Sequence, residues 1–192
     1  LLENGEIIKS GPTNEIVEFY VSGNYKSSKF GNIPEDFPRN DYNSGFAYFK
    51  SLKLFNSELK ETNIIKRNEA LNLKINLEVI KPIKNAHLVF IIGNKKDGNI
   101  SYISANNDNI EGISFQKGEN NIELSINQNL LIGNYDISFS LLNREGYPYD
   151  AISNFGDFRI ENFSDDINAY PWGKNLGKVS NMSSNLKIKI NE

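Results

Sequence analysis

Few side chains in this sequence could carry covalent or metal chemistry. It has no cysteine and a single histidine, His87. No disulfide framework, thiolate nucleophile or cysteine-ligated metal can therefore form. A paired-histidine zinc site is excluded as well. A Ser-His-Asp relay would have to pass through His87, a polar residue in an apolar stretch that suits an outward-facing strand position. Two carboxylates across a cleft could hydrolyse a glycoside, but no spacing in the chain places such a pair. Asn106-Asn107-Asp108-Asn109 with Glu111 offers oxygen ligands for calcium. It lacks the Asp-x-Asp-x-Asp-Gly order of a calcium loop, and a turn is the expected reading. No Gly-x-x-x-x-Gly-Lys-Ser/Thr phosphate loop is present, so nothing in the sequence cradles ATP phosphates. Three Asn-x-Ser triplets, at Asn99, Asn162 and Asn181, are what so asparagine-rich a chain contains by chance. No catalytic residue, metal or cofactor is expected.

The chain of 192 residues suits one main domain with short appendages. Hydrophobic residues make up 39%, with 12 Phe and 9 Tyr, enough to build a core rather than a disordered segment. The net charge is −3 with the two signs interspersed. Nucleic acid, which calls for a basic face, is not an expected partner, and neither is a polybasic membrane contact. No apolar run approaches the length of a membrane span, and no signal peptide opens the sequence. The first residue is Leu rather than Met, which leads us to expect a fragment or a processed chain. Abundant Asn and an excess of Lys over Arg point to an AT-rich, bacterial genome.

The elements that would position any site are strands. Residues 1–24 are expected to form two short strands around Asn4-Gly5. A short helix should follow, capped by Thr13 or Asn14 and carrying Ile16, Val17, Tyr20 and Val21 on one stripe. Such a piece cannot fold alone. Residues 25–45, with Pro34, Pro38 and several charges, read as a linker. From 46 to 162 the pattern is β, with strands expected at 46–56, 70–80, 86–93, 100–105, 120–127, 134–142 and 155–161. Leu71, Leu73, Ile75, Leu77 and Val79 alternate with Asn72, Lys74, Asn76 and Glu78. Tyr135, Ile137, Phe139 and Leu141 alternate with Asp136, Ser138 and Ser140. One buried and one wet face is the mark of antiparallel sheets, and turns near every ten residues predict a sandwich. Residues 163–192 form a tail whose Leu186-Lys187-Ile188-Lys189-Ile190 reads as a last strand, free to pair at a sheet edge or with a second subunit. The expected fold is thus all-β: an immunoglobulin-like antiparallel β-sandwich with a short N-terminal helix and a strand-bearing C-terminal tail.

Two stretches together resemble a known arrangement. Glu3 to Tyr20, with its Gly5-Glu6-Ile7-Ile8-Lys9-Ser10-Gly11 turn and a helix ending in Tyr, is similar to the last hairpin and helix of an ABC-transporter ATP-binding domain. Within the sandwich, Asp97-Gly98, Gly118-Glu119, Gly133-Asn134-Tyr135-Asp136-Ile137-Ser138, and Asp150 before Phe158-Arg159-Ile160 resemble the C-terminal domain of polysaccharide-exporting ATP-binding subunits of the O-antigen (Wzt-like) type. The order hairpin, helix, linker, sandwich is the specific part, and the likeness covers most of 1–162. It implies that 1–24 is the end of an ATP-binding domain and that 46–162 binds a lipid-linked polysaccharide in the cytoplasm, at the inner face of the membrane. It also implies an upstream ATPase, a membrane subunit and a homodimer as partners. Alternatives are an adhesive immunoglobulin-like module of a surface protein, or an accessory carbohydrate-binding module of a glycosidase.

Sugar recognition needs aromatic faces for pyranose C–H surfaces and planar polar groups for hydroxyls. His87, Tyr102, Ser138 and Ser140 are expected on one outer face, with Tyr102 beside His87, and form the candidate glycan surface. Solvated strand positions would look the same. Arg144, Tyr147, Tyr149 and Asp150 form a second cluster, expected in a loop that binds glycan or covers a core edge. Tyr135 reads as a core tyrosine whose hydroxyl caps backbone. Trp172, the lone Trp, suits docking of the tail.

Overall fold

The computed structural model describes residues 2–3, 6–7, 10–13, 29–39, 44–94, 97–105, 111–161 and 189–190. Strands β1 (Leu2–Glu3) and β2 (Glu6–Ile7) pair antiparallel, as the Asn4-Gly5 signal predicts. Thr13 is helical, and the rest of the expected helix lies outside the described residues.

Two sheets face each other across one core. The first runs in the order β13-β10-β6-β4-β3. Its strands are β3 (Gly31–Asn32), β4 (Ala47–Phe55), β6 (Leu71–Val79), β10 (Gly118–Ile126) and β13 (Lys189–Ile190). The second runs β5-β12-β11-β7-β8, with β9 attached to β7. It comprises β5 (Ile64–Lys66), β7 (Ile83–Asn94), β8 (Gly98–Ser104), β9 (Ile113–Phe115), β11 (Gly133–Leu142) and β12 (Pro148–Glu161). Among the described residues all strand pairings are antiparallel except β5 with β12. The chain changes sheet after β4, β5, β6, β9, β10 and β12, which is what closes it into a sandwich rather than a single meander.

The alternation read from sequence is the packing that results. Leu71, Leu73, Ile75, Leu77 and Val79 are all buried, and so are Tyr135, Ile137, Phe139 and Leu141. Phe139 of the second sheet meets Phe49 of the first edge-on, with ring centroids 4.7 Å apart. Phe90 and Phe155 extend this cluster. Edge-to-face rings gain about 1 kcal/mol beyond area burial, so the Phe49–Phe139 contact adds to the burial that holds the two sheets together.

Several expectations need correction. The described part of the expected linker is bound to the sandwich: β3 pairs with β4, Ile33 is buried, and Phe37 packs edge-on against Phe155 at 5.3 Å. Strands β5 and β9, three residues each, are too short to show a period. Asp150 and Tyr149 do not lie in a loop but within β12, which begins at Pro148. Pro148 occupies the first strand position, where its missing N–H is tolerated. Asp136 shares the outward side of β11 yet is buried, its carboxylate 3.4 Å from where a Cβ on Gly93 would sit. In the tail, Lys189 and Ile190 pair with Glu123 and Ile122 at the edge of β10. The remainder of the tail with Trp172, and Asn106 to Asn109, lie outside the described residues.

Candidate functional site

The outward side of the second sheet carries the residues expected there. Register puts Tyr102, Ile91 and Ser138 in one cross-strand row on β8, β7 and β11. The next row holds Ser104, Val89, Ser140 and Ala151, and the row beyond it holds His87 and Leu142. Cross-strand partners point to the same side of a sheet, so His87, Tyr102, Ser138 and Ser140 do share one face. Tyr102 is not beside His87, because it pairs opposite Ile91, four residues along β7, or about 13 Å at strand rise. Tyr102 projects from this face with 67% of its surface exposed. Elsewhere on this face Ile91 and Leu142 are half-buried and Val89 is buried, so the face is more apolar than its serines suggested. The Ser138 hydroxyl already accepts a hydrogen bond from the Asn154 amide at 2.9 Å. Asn154 has a positive φ of 53°, and the serine therefore holds an irregular stretch of β12.

The second expected cluster divides into three. Arg144 and Tyr147 are exposed on the turn between β11 and β12. The Asn143 carboxamide oxygen accepts from the amides of Glu145 and Tyr147 and shapes that turn. Leu142 pairs with both His87 and Pro148, so this turn lies at the His87 end of the outer face. Tyr149 instead packs on Phe46, centroids 5.9 Å apart. Asp150 is fully buried. It pairs with Arg39 and accepts from the Phe49 amide at 2.7 Å, while Arg39 also donates to the Phe49 carbonyl at 2.9 Å. Asp150 is therefore a structural anchor rather than a binding group.

The first sheet has a feature that the sequence reading missed. Its outward side forms a hollow of about 520 Å³. Across its floor Asn32, Ser51, Asn76 and Asn121 stand in one row over four strands, β3, β4, β6 and β10. Asn76 Nδ2 donates to Asn121 Oδ1 at 3.1 Å. Lys74 opposes Glu123 in the adjacent row and pairs with it at 2.6 Å. Asn76 and Lys74 were legible as outward positions by alternation. Only register reveals that asparagines from distant segments align, and Asn32 lay in a stretch without any period. Among the described residues no group of His, Cys, Asp and Glu could hold a metal ion, and no helix is long and apolar enough to cross a membrane.

Residues 38–170 match the family model of the Wzt C-terminal domain. Among solved structures, the crystal structure of the C-terminal domain of Wzt superimposes with a TM-score of 0.60 at 13% identity. That match covers 71% of this chain and 84% of the other. At this identity it establishes a shared fold. No curated protein sequence matches the chain.

Proposed function

The chain belongs to the Wzt C-terminal domain family, and we propose that it is a non-catalytic domain binding a lipid-linked cell-surface polysaccharide of the O-antigen type for export by an ABC transporter. The observation that carries this reading is the family match over 38–170, a span that includes β4 to β12 of the sandwich. In this reading residues 46–162 hold the glycan and 1–24 close an ATP-binding domain. The chain works with that domain and a membrane subunit at the cytoplasmic face of the cell membrane. A second copy of the chain is the further partner, with the last strand, which pairs with β10 of its own chain here, exchanged between the two copies.

We place the glycan on the outer face of the second sheet. Tyr102 supplies an open aromatic face for stacking. His87 and Ser140 supply hydrogen-bonding groups, Ser138 holds β12 in place, and Arg144 and Tyr147 extend the surface at the hairpin tip.

The test is binding of the chain to a panel of immobilised bacterial O-polysaccharides. At least one should be retained, and changing His87, Tyr102, Ser138 and Ser140 together to alanine should weaken retention by about tenfold or more. Undiminished binding by that variant would remove the face from the reading. Retention of no polysaccharide by the unaltered chain would remove the function itself.

A further inference from the structure

We infer that the hollow on the first sheet is a separate glycan seat, on the opposite side of the sandwich, and that it takes an uncharged polyhydroxylated segment rather than an anionic one. The inference rests on the glycan-binding reading above and adds a site and a ligand class to it.

The floor of the hollow suits hydroxyl groups. Asn32, Ser51, Asn76 and Asn121 form a continuous polar row with no charged member. A carboxamide offers both a donor and an acceptor, which is what a sugar hydroxyl also does. The hydrogen bond from Asn76 to Asn121 orients the pair. It leaves Asn76 Oδ1 as an acceptor and Asn121 Nδ2 as a donor for a ligand lying along the row. The row crosses four strands, and four strands at their usual spacing span about 14 Å. That length accommodates about two to three sugar rings.

The charges around the floor argue for a neutral ligand. Lys50, Lys53 and Lys74 line the hollow, and each already faces a carboxylate. Lys50 pairs with Glu78 at 3.1 Å, Lys53 with Glu61 at 3.3 Å and Lys74 with Glu123 at 2.6 Å. Glu119 adds a fourth carboxylate to the rim. An incoming phosphate or uronate would meet no excess of positive charge, and taking a lysine would strand its partner. A neutral hydroxyl-rich chain disturbs none of these pairs.

The aromatic residues at the two ends of β4's outward side do not offer open faces either. Arg39 lies over the ring of Tyr48 at 5.7 Å, and Lys74 lies over Phe55 at 5.4 Å. With those faces covered by cations, recognition in the hollow is by hydrogen bonding. The exposed Tyr102 on the other sheet offers the contrasting mode.

The experiment uses the whole chain on a panel of purified bacterial O-polysaccharides containing uncharged and acidic members. Uncharged members should be retained, with affinity changing less than about twofold between about 50 mM and about 500 mM salt. Asn76→Ala with Asn121→Ala should weaken retention about tenfold or more. Both positions face outward, and an unchanged thermal transition establishes that the variant folds. Asn121→Asp, nearly identical in shape, should weaken retention as well. Wild-type binding by both variants overturns the seat. Retention of acidic members with steep loss in salt overturns the ligand class. If no polysaccharide is retained by the unaltered chain, the glycan-binding reading falls first.

Discussion

The Tyr135 hydroxyl donates a 2.7 Å hydrogen bond to the carbonyl of Leu131, four residues earlier. The ring is buried and lies 5.6 Å from Phe158 of the neighbouring strand. One side chain thus ties the entry of β11 to the loop before it and to β12. Tyr135→Phe keeps the ring and loses the bond, and should cost about 1 kcal/mol in urea denaturation. Burial, with the charge of Asp97 adding to it, holds the phenol above its usual titration range. The stabilisation is therefore full below about pH 10 and lost as pH rises through the elevated value. The alkaline loss of stability should be shallower in Tyr135→Phe.

Arg39 and Asp150 join the segment before β4 to the start of β12, and both also bind the backbone of Phe49. Arg39→Met leaves a buried carboxylate without its counter-charge and should cost about 3 to 5 kcal/mol. Adding Asp150→Asn should recover part of that loss, since Asn can still accept from the Phe49 amide. Denaturation of the two single variants and the double variant measures the coupling.

Gly112 and Gly146 separate conformational strain from lack of space. Both have positive φ, 84° and 87°. A Cβ on Gly112 would sit 2.5 Å from the Asn85 carbonyl carbon, whereas one on Gly146 meets nothing within 4 Å. Gly146→Ala should cost about 1 kcal/mol, and Gly112→Ala at least about 2 kcal/mol, because backbone cannot step aside. Thermal unfolding of the two variants makes the comparison.

Glu69 links two loops beside the sandwich. Its carboxylate accepts from the Ser57 amide at 2.6 Å and the Lys66 amide at 2.9 Å. Burial alone would raise its pKa. Hydrogen bonds from Ser57 and Lys66, with the Lys66 charge, outweigh burial and hold it below the ordinary 4.5. Its contribution is therefore present above that value and lost as pH falls through the lowered one. Stability measured from pH 6 down through the carboxylate range should fall less steeply in Glu69→Gln than in the unaltered chain.

The sequence by itself determined the all-β sandwich and its inner faces. Strict alternation in Leu71 to Val79 and in Tyr135 to Leu141 leaves only one way to bury those side chains, because successive strand residues point to opposite sides. It also determined the role of Tyr135, since Gly133-Asn134-Tyr135 is a local signal. The short strands β5 and β9 stayed hidden, because three residues show no period. The role of Asp150 stayed hidden because its partner, Arg39, lies 111 residues away. The tertiary structure decided which outward residues meet. Alternation says that Asn76 and Ser138 face out, but not what stands beside them. That depends on the register between strands distant in sequence, which core packing sets and no local pattern records.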